Sequence, residues 1–296
     1  MSLTANPYFR LMRLQHPVGF WLCYWPSVWA LLLADSGGFR WDLALLFLLG
    51  AVSTRAAGCI VNDMADRDFD KHVERTKTRP LASGELSMRQ AAVCLFALLV
   101  VALGVLLAVY KRLEVEVSFT TLFLAALPVL ALSTAYPFMK RITWWPQAFL
   151  GLTFNWGVFI GWVAIRGTVE WPALLLYSAA FFWTLGYDTV YGYQDMKDDE
   201  KIGVKSTSRL MARHTRYWLS GFYAAMVALL AIAVHHQAEG MMQTALYAGL
   251  LFMAMHFAWQ VKTLDASSPA NCLRRFKSNA WLGGLWLIPA FLFQIV

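Results

Sequence analysis

The sequence predicts an all-α integral membrane protein, with about nine transmembrane helices in a single bundle. Three observations predict it. Of 296 residues, 59% are hydrophobic and only 15% are charged, with 14 Trp and 20 Phe, more apolar surface than one soluble core of this size hides. The apolar residues gather in stretches of about 20, the length a bilayer crossing needs. Their spacing is helical and does not alternate, which excludes a β-barrel.

The stretches fall at about 17–34, 43–61, 91–110, 119–136, 147–165, 172–187, 216–234, 242–261 and 279–296. No linker separates domains, so residues 1–296 read as one multi-span membrane domain. The longer polar segments, about 62–90, 188–215 and 262–278, all fall on one side of the membrane. Charge sorts the same way. Of the 25 Lys and Arg, only Arg40, Lys111, Arg112 and Arg166 fall on the opposite side, and Arg55 lies inside the second stretch. The positive-inside rule then puts the N-terminus and the long polar segments in the cytoplasm, in a bacterial cell the inner face of the inner membrane. The net charge of +7 reads as topology and attraction to anionic lipid or substrate. No aromatic-interleaved basic module supports nucleic-acid binding.

Two acidic clusters sit at the ends of membrane-length segments. The first runs from Asn62 through Asp63, Asp66 and Asp68 to Asp70; the second from Asp188 through Asp195 to Asp198 and Asp199. Carboxylates at a bilayer edge need water, a cation or a partner. If the second segment continues as a helix, Asn62, Asp66 and Asp70 share a face at i, i+4 and i+8. A continuous helix would likewise align Asp188, Asp195 and Asp199 at i, i+7 and i+11. Oxygen ligands so stacked suit Mg²⁺ and, through it, a diphosphate. The clusters are four spans apart, and each is followed by a basic stretch. That spacing suggests two four-helix halves, about 17–136 and 147–261, with a ninth helix added.

Basic residues beside the acids would grip the remaining diphosphate oxygens: Arg67, Arg75 and Arg79 near the first cluster, Lys197, Lys201 and Lys205 near the second. Arg55 lies two turns before Asn62 and should point inward on the same face; an intramembrane arginine is a functional candidate. The end of the fourth span adds Tyr136, Lys140 and Arg141. Cys23, Cys59, Cys94 and Cys272 have no paired spacing and read as reduced structural thiols.

Several of these stretches together resemble a known family. Gly58-Cys59-Ile60-Val61-Asn62-Asp63 through Asp70, followed by Arg75 and Arg79-Pro80-Leu81-Ala82-Ser83-Gly84, resembles the first signature of the UbiA superfamily of intramembrane aromatic prenyltransferases. Tyr136-x-x-x-Lys140 is similar to its Y-x-x-x-K element. Tyr187-Asp188 through Asp195 and Asp199, with Lys201 to Thr207, is similar to its second acidic motif, although Gly192-Tyr193-Gln194 departs from the small apolar run expected there. Leu11 to Leu14 with Pro17, Trp25-Pro26 and the Lys140-Arg141 pair are most like the branch of that superfamily acting on 4-hydroxybenzoate in ubiquinone biosynthesis.

The resemblance implies the UbiA-like nine-helix fold, Mg²⁺ dependence and a polyprenyl diphosphate donor. It implies that Asn62, Asp66, Asp195 and Asp199, assisted by Asp70, hold a Mg²⁺–diphosphate, and that Tyr136 and Lys140 help grip it. A prenyl group would pass to position 3 of 4-hydroxybenzoate. On the acceptor side, Arg55 or Arg141 would pair with the benzoate carboxylate while Asp188 orients or deprotonates the phenol. Homogentisate, a naphthoate, haem or a glycerol lipid stands as an alternative acceptor. A transporter of a phosphorylated lipid is the alternative from another class.

Overall fold

A computed structural model describes residues 6–35, 38–201 and 203–294, apart from the side chains of Lys197, Asp198, Phe293 and Gln294. Helix α1 (Pro7–Leu11) leads into α2 (Val18–Ala34), which is apolar all round and therefore belongs in the core. Its Trp29 has no exposed surface, and its flanks pack against helices from both ends of the chain.

Helix α3 (Trp41–Asp70) has 30 residues and so rises about 45 Å, well beyond a hydrocarbon core of about 30 Å. The excess carries Asn62 to Asp70 past the membrane edge as unbroken helix. Ser87 opens α4 (Met88–Tyr110) with a reciprocal capping box, and Ser118 caps α5 (Phe119–Ile142). In each of α4 and α5 only 11% of the most apolar window is buried, so these two helices lie at the outer surface of the bundle.

The stretch expected at 147–165 is broken into α6 (Pro146–Phe154) and α7 (Gly157–Arg166). Buried Asn155 stands at the break, its amide donating to Gly151 O at 2.7 Å and Thr184 Oγ1 at 3.0 Å. Those bonds hold the interrupted backbone where lipid could not. Helix α8 (Trp171–Gly192) is followed by a turn, the short α9 (Met196–Lys201) and α10 (Thr207–Leu210). Then come α11 (Thr215–Gln237) and α12 (Gly240–Thr263). The final stretch begins ten residues before its expected start and breaks near its end, as α13 (Pro269–Leu285) and α14 (Ile288–Gln294). Arg274, Arg275 and Lys277 mask its first turns in an apolar reading of the sequence.

Nine crossings are expected from the sequence. Among the described residues, six helical stretches are long and apolar enough to cross: Trp41–Asp70, Met88–Tyr110, Phe119–Ile142, Pro146–Arg166, Ala212–Gln237 and Gly240–Thr263. Val18–Ala34 is apolar but shorter. Trp171–Gly192 is long enough but rich in Trp, Tyr and Thr.

Polar side chains join the buried faces. Trp183 Nε1 on α8 donates to Asn279 Oδ1 on α13 at 2.9 Å. Gln260 on α12 donates to the same oxygen at 3.2 Å and accepts from the Tyr223 hydroxyl on α11 at 3.2 Å. Such interhelical bonds add adhesion where lipid removes the hydrophobic drive. Helices α2 and α13 meet differently: Trp25 Nε1 donates to Ala280 O at 2.6 Å and Trp29 Nε1 to Gly283 O at 2.9 Å.

That close approach requires glycine. A Cβ on Gly283 would stand 2.6 Å from Trp25 Cδ1, and Trp25 is stacked on Trp21, with ring centroids 5.3 Å apart. Gly283→Ala is therefore expected to lose about 1–3 kcal/mol by overpacking, read as a lower thermal midpoint of the detergent-solubilised protein. Gly221→Ala, with nothing near its Cβ, should leave the midpoint unchanged or raise it.

Candidate active site

The last turns of α3 bury their acids. Asp63 and Asp66 are each 1% exposed and Asp70 is 6% exposed, with Asn62 partly buried beside them. This confirms the helical face on which Asn62, Asp66 and Asp70 were expected to align. Each buried acid finds a cation. Lys140 Nζ from α5 meets Asp66 Oδ2 at 2.5 Å, and Arg141 Nη2 approaches Asp66 Oδ1 at 3.4 Å. Arg79 Nη1 meets Asp70 Oδ2 at 2.7 Å and Asp63 Oδ1 at 3.2 Å. Arg13 Nη2 completes the set on Asp63 at 2.6 Å.

The loop after α3 delivers Arg79, and it is tied both to the end of α3 and to the N-terminal segment that carries Arg13. Thr76 Oγ1 donates to Asp70 O at 3.1 Å, and Arg10 pairs with Glu85 at 2.7 Å. Arg13 itself has φ +58°, a left-handed conformation uncommon for a residue with a side chain, and its guanidinium also donates to Arg10 O at 3.1 Å.

Arg75, in the loop that follows the first acidic cluster and near Asp70, binds the second cluster. Its Nε and Nη2 donate to Asp195 Oδ1 and Oδ2, both at 2.7 Å, in a fork geometry that suits a carboxylate. The second loop is tied to α5 as well: Lys205 N donates to Lys140 O at 2.9 Å, and Lys205 Nζ to Ile142 O at 3.0 Å. Burial pushes the Asp199 carboxyl up to about 6, and the charge of Asp195 adds to that, against Lys140, Arg75 and Arg209.

The continuous helix expected from Asp188 to Asp199 is corrected. Helix α8 ends at Gly192, and 193–195 form a turn before α9. Gly192 is where the following loop presses closest: a Cβ there would collide with Ser208 Oγ. The Ser208 hydroxyl in turn donates to Thr189 O at 2.8 Å, and the Tyr193 hydroxyl and Thr215 Oγ1 share a bond of 2.7 Å. Gly192-Tyr193-Gln194, the departure from the family pattern, is thus a turn built to receive this loop.

A second polar layer lies deeper. Arg55 lies near Tyr136 of α5 and Tyr191 of α8, and Asp188 lies near Arg55 and Asp195. Tyr136 also feels Asp66, so it stands between the two layers. Of the two arginines considered for an acceptor carboxylate, only Arg55 is in this layer. Arg141 is exposed at the rim, 4.5 Å over the Phe69 ring and 5.4 Å over Phe138, and is drawn to Asp66.

Arg67, one residue past Asp66 and so about 100° around the helix, is turned outward and exposed beside Asp68. Lys201 ends α9, and the side chain of Lys197 lies outside those described. The sequence reading placed Asp63 in the first cluster without giving it a role in the site, and it missed Arg13 as a partner of the cluster. Asp63 was findable, since it is seven residues before Asp70 and shares its face. Arg13 left no such signal, because its partner is 50 residues away.

Residues 23–287 match the UbiA prenyltransferase family. The chain belongs to that family. Among curated relatives, a mitochondrial 4-hydroxybenzoate polyprenyltransferase of Rattus norvegicus is 45% identical over 94% of this chain and 72% of its own. The human protein of the same name is 44% identical over the same shares. Solved structures share the fold. A UbiA homologue from Aeropyrum pernix K1 superposes with TM-score 0.75 at 23% identity, covering 94% of this chain and 98% of its own. A UbiA homologue from Archaeoglobus fulgidus, bound to GPP and Mg²⁺, gives 0.72 at 22%, covering 98% of this chain and all of its own.

Asp63 sits between two arginines with almost no water. Asp63→Asn is expected to leave Arg13 and Arg79 short of charge and to destabilise the protein by about 3 kcal/mol or more. Asp68→Asn, on the exposed face, should change the thermal midpoint little.

Proposed function

We infer that the chain is a Mg²⁺-dependent 4-hydroxybenzoate polyprenyltransferase of ubiquinone biosynthesis, transferring a polyprenyl group from its diphosphate to ring position 3 of the acceptor. The observation that carries the reading is the meeting of two acidic clusters through Arg75 and Asp195, in a chain 44–45% identical to proteins of that name.

The chemistry of the donor set suits a hard divalent cation, but among the described residues no three acidic side chains gather at metal-ligating spacing, so the ion would draw them together. Asp66, Asp70, Asp195 and Asp199, with Asn62, offer only oxygen for coordination in their ionised or amide-oxygen form, as Mg²⁺ prefers. Lys140, Arg79 and Arg75 already hold positive charge against three of these carboxylates. When bound, the metal would neutralise diphosphate oxygens and favour departure of that group. Lys140, Arg75 and Arg79, aided by Tyr136, would turn from carboxylate to diphosphate as it arrives. Lys197 and Lys201 belong to the same proposed set.

The allylic C–O bond breaks with its electron pair leaving on diphosphate. The ring carbon ortho to the phenol then forms the new C–C bond, and its proton is lost to a base. Asp188 would orient the phenol and take a proton. Arg55 holds the acceptor carboxylate two turns deeper than the diphosphate. The bundle keeps water from the cationic fragment, which would otherwise be hydrolysed.

Charge asymmetry supports an orientation with the N-terminus and both acidic clusters on the positively charged, cytoplasmic side, in the setting of a bacterial inner membrane that the sequence reading assumed. Recurrence of the acidic clusters four spans apart supports two four-helix halves with a ninth helix.

Membrane-embedded protein given geranyl diphosphate and 4-hydroxybenzoate should release diphosphate and form the 3-geranylated product only when Mg²⁺ is present. Release without that product would discard this acceptor; no release with any donor length would discard prenyl transfer. Arg55→Ala should raise the KM for 4-hydroxybenzoate by about 10- to 100-fold, the worth of a charged hydrogen bond. Arg141→Ala should leave that constant nearly unchanged. Asp199 must shed its proton to accept a metal, so the apparent Mg²⁺ affinity should fall as pH drops from 7 to 5. Titration of diphosphate release against Mg²⁺ at each pH reads this directly.

A further inference from the structure

Arg55 is held in an unusual way for a cation inside a membrane bundle. Among the described residues no carboxylate lies within 4.0 Å of its guanidinium. Asp188, Tyr136 and Tyr191 stand at longer range, and the groups in direct contact with the guanidinium are a thiol, a ring and a bare glycine. The Cys59 Sγ accepts a hydrogen bond from Nη1, one helical turn along α3. The Phe154 ring lies with its centroid 5.2 Å from Cζ. On the third side stands Gly19 of α2, where a Cβ would come within 2.7 Å of Nε, 3.2 Å of Nη2 and 3.3 Å of Cζ. Nε is buried and has no hydrogen-bond partner.

This environment fixes the guanidinium without neutralising it. A carboxylate in place of Cys59 would tie the charge up, and any side chain in place of Gly19 would fill the space the guanidinium occupies. A thiol is a weak acceptor, so it orients the group at little electrostatic competition with an incoming anion. A buried donor left unpaired is costly, and an arriving carboxylate removes that cost.

We propose that Cys59 and Gly19 are positioning residues that hold the Arg55 guanidinium open toward the carboxylate of the aromatic acceptor, and so set selectivity for carboxylate-bearing acceptors. The inference rests on the assignment of Arg55 to the acceptor. It gives Cys59 a task beyond the structural thiol expected from its sequence spacing.

The two substitutions disturb the arrangement differently. Cys59→Ala removes the acceptor and frees the guanidinium. Gly19→Ala pushes the flexible end of Arg55 aside while improving the helix propensity of α2, so binding and stability should move in opposite directions. The experiment measures KM and kcat for 4-hydroxybenzoate and for its uncharged amide, 4-hydroxybenzamide, with geranyl diphosphate, alongside thermal midpoints. Both variants are expected to raise the KM for 4-hydroxybenzoate about tenfold, the scale of one hydrogen bond to a charged group. The KM for the amide and for geranyl diphosphate should change less than twofold, and kcat should fall less than KM rises. Gly19→Ala should keep or raise the thermal midpoint, and Cys59→Ser should recover part of the loss.

An unchanged KM for 4-hydroxybenzoate in both variants, while Arg55→Ala still raises it, overturns the positioning role and leaves the acceptor assignment standing. Equal losses for acid and amide also overturn it, because a general disturbance does not discriminate charge. If Arg55→Ala itself leaves the KM for 4-hydroxybenzoate unchanged, the assignment of Arg55 fails and the inference falls with it.

Discussion

Carboxylates at the mouth of a membrane bundle must be compensated, and that requirement organises the end of this fold that carries the acidic clusters. Asp63, Asp66 and Asp70 are almost fully buried on one helix face. Left alone, each would carry a desolvation penalty of several kcal/mol. Arg13 from the N-terminal segment, Arg79 from the following loop and Lys140 from α5 supply the opposing charge, and each comes from a different part of the chain. The ion pairs thus explain why these segments converge. They also leave the site as a balanced array of both signs, into which an anion and a cation can be admitted together without building up net charge.

The deeper layer follows another rule. There the cation is Arg55, and its counterpart Asp188 acts on it at electrostatic range without a direct bond. A thiol, a ring and a glycine hold it. The fold thus keeps two kinds of positive charge apart: paired at the mouth and unpaired inside. A substrate with a diphosphate at one end of the reaction and a carboxylate at the other matches this division.

Much of this was legible in the sequence, and what was not has physical causes. The helical spacing of Asn62, Asp66 and Asp70 needed only that α3 run past the membrane edge, and its length ensures that it does. Arg55 could be placed inward because seven residues are nearly two full turns. The break after Gly192 was invisible because it arises from a tertiary contact with Ser208, which local propensity does not encode. The interruption at Asn155 depends likewise on Thr184, 29 residues away. Arg67 and Arg75 looked alike as basic residues near acids. Only the geometry separates one facing solvent from one locked to Asp195.

The tie between Lys205 and the end of α5 has a mechanical consequence. Because the Lys205 amide donates to the Lys140 carbonyl, the backbone carrying one acidic loop is fastened to the backbone that presents a cation to the other cluster. The two sides of the mouth behave like jaws sharing a pin: displacement of one is transmitted to the other. Neither loop is therefore a free module. Transplanting the second loop from a relative would carry the setting of Lys140 with it, and both halves of the mouth would have to be exchanged together.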